Sequence, residues 1–154
     1  MLARFHGSRP LAADAARGAA ARRMPNAIGS PGPARRLRRM IPSSWLDEVD
    51  VAVVSHNGRQ TLPRVLDCLR DAGVPSDRIT LYDIASTDDT RPWMASAWPQ
   101  ATVVALLTND GPNPARNRAL ADARRPYLLL VDSDGFLHAG APQALWAVAR
   151  EDAG

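Results

Sequence analysis

Two acidic residues separated by a single residue, Asp132 and Asp134, directly follow a run of five apolar residues at positions 127–131. A continuous apolar run of this length predicts a strand that is buried on both faces, as in a parallel sheet between two layers of helices. Ligands of open α/β folds bind in the crevice at the carboxyl ends of such strands. Two carboxylates suit Mg²⁺ or Mn²⁺, which complete their coordination with water and substrate phosphates. The pair therefore predicts a divalent-cation site, and the structural alternative is a polar turn that closes the strand.

Three further segments have the composition of strands and also end in polar residues. Residues 49–55 form a β-branched run before a turn at Gly58, residues 79–82 precede a polar loop, and residues 102–107 precede another. The carboxyl ends of parallel strands lie at the same edge of a sheet, so their polar side chains should gather there although they are far apart in sequence. The residues expected at this edge are His56, Asn57, Asp83, Asn109, Asp132 and Asp134.

Helical patterns separate the predicted strands. Residues 62–69 carry Leu and Val at the i, i+3, i+4, i+7 spacing of an amphipathic helix. A short helix should begin at Pro92, a third should run over residues 115–123 with Asn113 as its cap, and a last helix should occupy residues 142–150. The regular alternation of strands and helices predicts an α/β fold with a mainly parallel sheet and right-handed crossovers.

The charges divide the chain into two parts. Nine Arg and one acidic residue give residues 1–44 a net charge of +8, whereas ten Arg and 15 acidic residues give residues 45–154 a net charge of −5. The first part is rich in Ala, Arg, Pro and Gly, so we predict a disordered extension at residues 1–44 and one folded domain at residues 45–154. Because the basic charge lies outside the patterned part, no nucleic-acid partner is expected. No apolar run is long enough to span a bilayer, so we expect a cytoplasmic protein, and peripheral contact of the Arg-rich arm with a membrane stays open.

Four segments within residues 49–150 resemble, in the same order, motifs of the nucleotide-sugar-binding N-terminal half of family 2 glycosyltransferases, which have the GT-A fold. These segments are Val53-Val54-Ser55-His56-Asn57-Gly58, the loop from Tyr82 to Thr90, the stretch from Asn109 to Leu120, and Asp132-Ser133-Asp134. The second segment departs from the family's Asp-Asn-Gly-Ser-Thr-Asp-Gly-Thr loop at Ile84, Ala85 and Asp89. The resemblance implies a Rossmann-like, mainly parallel sheet with flanking helices.

The resemblance also implies which residues contact the nucleotide. Ser55 and His56 belong to the segment that lies against the nucleobase, and His56 takes the place of the family's aromatic residue. Asp83 corresponds to the aspartate that hydrogen-bonds the base, and the choice between a uracil-type and a guanine-type edge stays open. Arg116 corresponds to an arginine that faces the nucleotide or its phosphates.

Asp132 and Asp134 match the family's Asp-x-Asp motif. This match implies that Asp134 binds Mg²⁺ or Mn²⁺ and that Asp132 holds the ribose or assists the metal in glycosyl transfer from a nucleotide-diphosphate sugar. Only 20 residues follow Asp134, and they contain no evident acceptor site or catalytic base, so no catalytic residue is assigned. The domain is therefore expected to be incomplete, or to need a partner chain that supplies the acceptor half. The alternative is a non-catalytic nucleotide-sugar-binding module or an inactive remnant.

A haloacid-dehalogenase-type phosphatase is a more distant alternative, because residues 130–137 resemble the nucleophile loop of that family. The mechanism of those phosphatases needs a later Lys, whereas this chain contains no Lys. The single Cys68 lies in a helical pattern with no motif around it, which favours a buried thiol in a reducing compartment over a catalytic one.

Overall fold

Residues 2–4 and 44–152 are described by the computed structural model of the chain. The strands are β1 (Leu2–Arg4), β2 (Val49–Ser55), β3 (Ile79–Ile84), β4 (Thr102–Leu106) and β5 (Tyr127–Asp132). The helices are α1 (Trp45–Glu48), α2 (Leu62–Asp71), α3 (Thr90–Ala97), α4 (Pro112–Asp122) and α5 (Ala141–Glu151). A 3₁₀ turn at Ser76–Arg78 precedes β3.

The strands form one sheet in the order β1-β5-β2-β3-β4. Neighbouring strands from β5 to β4 are parallel, and β1 pairs antiparallel with the outer edge of β5. The register places Ser55 opposite Asp83 and Val54 opposite Asp132. The carboxyl ends of the four parallel strands therefore lie along one edge of the sheet. We call this edge the carboxyl rim, and it comprises Ser55, Asp83, Asp132 and the loops at residues 56–61, 85–89, 107–111 and 133–140.

The two faces of the sheet pack against different helices. Val51 and Val53 of β2 belong to an apolar cluster with the buried side chains of α2. Their neighbour Ala52 belongs to a second cluster, on the other face, with Ala115 and Ala119 of α4. Because both faces are covered, β2 and β5 are buried along nearly their whole length, as the apolar runs predicted.

The predicted fold class, an α/β fold with a mainly parallel sheet and flanking helices, is confirmed. The predicted strands and helices are all present, with several boundaries shifted by one to three residues. β3 continues to Ile84, so Asp83 lies within the strand and not in the loop after it, and α3 begins at Thr90, before Pro92. The predicted cap at Asn113 is wrong, because α4 already begins at Pro112 after Gly111, whose φ of 83° turns the chain into the helix.

The strand β1 corrects part of the prediction for the N-terminal segment. Its three residues lie in the stretch that was predicted to be disordered, yet they pair with residues 127–129 of β5. Backbone hydrogen bonds hold this edge strand, and Leu2 also packs against the apolar cluster on one face of the sheet. A strand of three residues is too short to show an alternating apolar pattern in the sequence. Residues 5–43 of the predicted extension lie outside the described residues. Within the described ranges, no helix is both long and apolar enough to cross a membrane.

Candidate functional site

Asn57 ties the loop after β2 to the loop after β3 at the carboxyl rim. Its backbone N–H donates to Ser86 Oγ at 2.8 Å, and its side-chain Oδ1 accepts from the N–H groups of Thr87 at 2.8 Å and Asp88 at 3.3 Å. Asn57 reaches this position with a φ of 49°, a conformation that Asn tolerates better than most residues. The two loops are therefore held together by a side chain acting on backbone groups.

His56 is exposed at the rim, and both ring nitrogens are engaged. Nδ1 lies 2.6 Å from the carbonyl oxygen of Ile84, and Nε2 lies 3.3 Å from Nδ2 of Asn57. A carbonyl oxygen only accepts, so Nδ1 carries the proton and Nε2 accepts from the Asn57 amide. These two contacts fix the plane of the imidazole while leaving the ring open to solvent.

Asp83 and Ser55 form the buried floor of the rim. The side chain of Asp83 is fully buried, and its Oδ2 accepts from the N–H of Ser86 at 3.1 Å and lies 3.5 Å from Nε of Arg91. Oδ1 of Asp83 and Oγ of Ser55 are buried and have no hydrogen-bond partner among the described residues. Ser55 pairs with Asp83 across neighbouring strands. Most buried polar atoms in proteins are hydrogen-bonded, so two unpartnered ones in adjacent residues indicate a place for a ligand or an ordered water.

Asp88 anchors the start of α3 to the loop after β2. Its carboxylate accepts from the N–H groups of Thr90 at 3.0 Å and Arg59 at 3.2 Å. Desolvation acts to raise the pKa of Asp88, but the hydrogen bonds from Thr90 and from the Arg59 N–H outweigh it and hold the pKa below its ordinary value of 3.8. These hydrogen bonds in the loop therefore stabilise the carboxylate form of Asp88.

An ion pair occupies the other end of the rim. Nη2 of Arg116, on α4, lies 2.8 Å from Oδ1 and 3.0 Å from Oδ2 of Asp132 at the end of β5. The same guanidinium donates to Oδ1 of Asn113 through Nη1 at 3.3 Å. Both side chains of the ion pair are partly exposed, so it contributes at most about 1 kcal/mol to stability. The pair places a cation and a carboxylate beside each other at the open end of the rim.

Asp134 lies two residues further along, in the turn that follows β5. The turn is set by backbone hydrogen bonds from Ser133 N–H to Val54 O and from Gly135 N–H to Asp132 O, both 2.9 Å long. Asp134 is exposed, and its carboxylate makes no hydrogen bond or ion pair with the described part of the chain. Within residues 2–4 and 44–152 there is no group of three or more His, Cys, Asp or Glu side chains that could hold a metal. Any cation here would therefore depend on Asp134 and Asp132 together with oxygen atoms from a ligand or from water.

Direct contacts join some of the residues that the sequence placed at this edge, but not all of them. His56, Asn57 and the strand that carries Asp83 are linked, and Arg116 joins Asp132. Asn109 is occupied by a local bond from the N–H of Gly111 at 3.2 Å. Arg91 was not predicted as a site residue, because its position precedes the helix that was predicted to begin at Pro92. A helix start at Thr90, with Asp88 two residues before it as the side-chain acceptor, was the available signal.

The family model described as Glycosyl transferase family 2 matches residues 50–154. Among solved structures, S. aureus TarS 1–349 in complex with UDP-GlcNAc is similar, with 26% sequence identity and a TM-score of 0.58 over 68% of this chain and 31% of that chain. Glucosyl-3-phosphoglycerate synthase from Mycobacterium tuberculosis in complex with UDP has 26% identity and a TM-score of 0.51 over 69% of this chain and 40% of that chain.

The likeness to one further structure concerns the fold alone. The mannosyltransferase PcManGT from Pyrobaculum calidifontis, in complex with GDP-Man and Mn²⁺, has 23% identity and a TM-score of 0.50 over 75% of this chain and 37% of that chain. The chain thus spans about a third of the length of the solved structures that it resembles, for example 32% of TarS 1–349. A search of curated proteins gives no significant match.

Proposed function

The chain belongs to glycosyl transferase family 2, and we propose that its carboxyl rim binds a nucleotide-diphosphate sugar for glycosyl transfer. The observation that carries the proposal is the pair of buried, unpartnered atoms Oδ1 of Asp83 and Oγ of Ser55. Leaving a buried polar atom unpaired costs about 1–3 kcal/mol, which a ligand that hydrogen-bonds it would recover. The UDP and UDP-GlcNAc complexes of the similar proteins support a nucleotide sugar as that ligand.

The base end of the proposed site consists of Asp83, Ser55 and His56. A carboxylate only accepts hydrogen bonds, so Oδ1 of Asp83 would accept from a ring N–H of the base, as in uracil or guanine. Ser55 Oγ can donate or accept beside it. The exposed ring of His56, held in one plane by Ile84 and Asn57, would stack on the base. The buried floor and the fixed ring together would set the depth and orientation of the nucleoside.

The phosphate end consists of Arg116, Asp132 and Asp134. The exposed carboxylate of Asp134 fits Mg²⁺ or Mn²⁺, because these ions accept one or two protein carboxylates and fill their coordination with water and phosphate oxygens. A divalent cation bound there would neutralise the negative charge of the diphosphate leaving group. Asp134 would be the direct ligand. Asp132 would hold the ribose or assist the metal, and it holds Arg116 where a guanidinium can meet phosphate oxygens.

No residue is proposed as the base that deprotonates the acceptor. In the described part of the chain, the only carboxylates after Asp134 are Glu151 and Asp152, at the far end of α5. The second candidate function, which the sequence left open, is binding of the nucleotide sugar without transfer. If the protein transfers the sugar, the acceptor half must be supplied by residues outside this sequence or by a partner chain.

Metal-linked nucleotide binding tests the donor site. We expect isothermal titration to give tighter binding of UDP, GDP or dTDP with Mn²⁺ than without it, and Asp134→Ala to abolish the difference. Asp77→Ala is the matched control, because Asp77 is an exposed carboxylate at the amino-terminal end of β3. If no nucleotide binds more tightly with metal, or if Asp134→Ala behaves as the control does, the assignment is wrong.

A product assay separates the two candidate functions. The full chain is incubated with a panel of nucleotide sugars and acceptors, and both free sugar and glycoside are measured. Slow release of free sugar without glycoside would support the binding module. A positioned base is worth roughly 10²–10⁴ in rate, so steady glycoside formation over many turnovers would instead require a transferase with a complete acceptor site.

A further inference from the structure

Arg91, in the first turn of α3, contacts both the floor of the rim and the loop above it. Its Nε lies 3.5 Å from Oδ2 of Asp83, and its Nη2 donates to the carbonyl oxygen of Ser86 at 3.1 Å. The Arg91 side chain is 50% exposed, whereas that of Asp83 is 0% exposed. One guanidinium therefore holds a fully buried carboxylate from the solvent side.

These contacts decide which way the carboxylate of Asp83 faces. Rotation about the last side-chain bond of Asp has broad energy wells, so the plane of the carboxylate is set by its partners. Both partners, the guanidinium of Arg91 and the N–H of Ser86, lie on Oδ2. Oδ1 is left as the buried oxygen that has no partner in residues 2–4 and 44–152. Arg91 thus supplies the charge and one of the two contacts that keep Oδ1 available.

We propose that Arg91 is a positioning residue for base selection, which orients Asp83 so that Oδ1 accepts a ring N–H of the nucleotide. This inference rests on the proposed function. A carboxylate in this orientation favours bases that present a ring N–H, such as uracil, thymine and guanine. Cytosine and adenine have a lone pair at the corresponding ring nitrogen. Two hydrogen-bond acceptors would then face each other, which disfavours these bases.

A purely structural role for Arg91 predicts something different. If Arg91 only fastened the Ser86 carbonyl, its loss would loosen the loop and weaken every nucleotide to a similar extent. Loss of base selection would instead affect only ligands that carry the ring N–H. The ratio of two affinities therefore separates the roles, whereas a single affinity or a melting temperature does not.

The test compares UDP with N3-methyl-UDP, in which a methyl group replaces the ring N–H, or GDP with N1-methyl-GDP if the chain binds guanine. Wild-type protein should prefer the unmethylated nucleotide by about ten-fold or more, since a hydrogen bond to a charged group is worth that much in affinity. Arg91→Met should reduce this preference by weakening only the unmethylated ligand, and the part that remains is the steric effect of the methyl group. Arg91→Lys, which keeps the charge, should restore part of it.

Two controls make the outcome specific. Arg70→Met removes an exposed guanidinium from α2 that forms ion pairs with Asp67 and Asp71, and it should leave the preference unchanged. In an Asp83→Ala background, Arg91→Met should have no further effect on the preference, because the group that it orients is absent. If Arg91→Met does not fold, Arg91→Gln carries the same expectation, since its amide can still donate to the Ser86 carbonyl.

The results separate failure of this inference from failure of the proposed function. If wild-type protein binds no nucleoside diphosphate, the proposed function is wrong and this inference falls with it. If wild-type protein binds and discriminates while the folded Arg91 variants keep the full preference, the donor site stands and the role of Arg91 is overturned. An equal loss of affinity for both members of the pair also overturns it, in favour of a structural role.

Discussion

The two ends of the carboxyl rim are built differently. At the base end, a buried carboxylate and two loops are held by hydrogen bonds between side chains and backbone, and His56 is fixed at both ring nitrogens. At the phosphate end, the carboxylates of Asp132 and Asp134 are exposed. Among the described residues, an ion pair between Arg116 and Asp132 is the only side-chain contact that either carboxylate makes. The protein thus fixes the part of the site that would read a base. It leaves open the part that a diphosphate and a cation would complete.

The largest effect that we expect comes from removing the Asn57 side chain, which links the two loops at the base end. Asn57→Ala removes the acceptor of the Thr87 and Asp88 N–H groups and places Ala at a φ of 49°. We expect a loss of about 2–3 kcal/mol in the free energy of unfolding, measured by urea denaturation.

Asn57→Gly separates the two causes of that loss. Glycine tolerates the positive φ but lacks the amide. Asn57→Gly should therefore lower the free energy of unfolding by less than Asn57→Ala does. Asp134→Ala at the phosphate end should change stability by less than about 0.5 kcal/mol. An equally large loss for Asp134→Ala would contradict the difference between the two ends.

Two glycines, one at each end of the rim, sharpen the comparison. A Cβ on Gly58 would lie 2.1 Å from Oγ of Ser55 and 3.2 Å from Cγ of Leu62, whereas a Cβ on Gly135 would come no closer than 3.2 Å to the carbonyl oxygen of Asp132. Gly58→Ala must therefore rotate the buried Ser55, and we expect a loss of about 1–3 kcal/mol. Nucleotide affinity should fall with it. Gly135→Ala should cost less free energy of unfolding, measured for both variants by urea denaturation. The reverse order would show that the base end can rearrange freely.

The smallest effect is a gain in stability. Ala85 has a φ of 47° between Asp83 and Ser86, in the tightly bonded loop of the base end. An alanine at this φ costs about 1–2 kcal/mol, and the larger loss of chain entropy of glycine on folding would cancel part of the gain from removing that cost. Ala85→Gly should therefore stabilise the protein by about 0.5–1 kcal/mol. Ala147→Gly, at an exposed position within α5, should instead destabilise it by about 1 kcal/mol. Destabilisation by both changes would mean that Ala85 is not strained.

The sequence predicted those parts of the molecule that depend on regular patterns. The apolar runs at residues 49–55 and 127–131 identified buried strands, because a strand covered on both faces has to be apolar at successive positions. Parallel strands end at one edge, so the polar residues after them could be placed together before any contact was known. His56 and Asp83 were predicted on this basis, and they lie at that edge.

The sequence could not predict contacts that join a side chain to the backbone of a distant loop. The bonds from Asn57 to Thr87 and Asp88 and from Arg91 to Ser86 have no periodicity, because they depend on how two irregular loops meet. Edge pairing of β1 was missed because three residues are too few to show a strand periodicity, although Leu2 packs against the apolar cluster. The ion pair of Arg116 with Asp132 joins two residues that were predicted singly, each as a ligand of the nucleotide and not as a partner of the other.

The order of the strands also has a consequence for the kinetics of folding. β2 and β3 are joined by one helix, so Ser55 and Asp83 meet through a relatively local crossover. β2 and β5 are neighbours in the sheet although β3, β4 and the helices after them lie between them in the chain, so Val54 meets Asp132 only after a much longer loop has closed. Longer closures form more slowly. We therefore expect the base end of the rim to assemble before the phosphate end during folding.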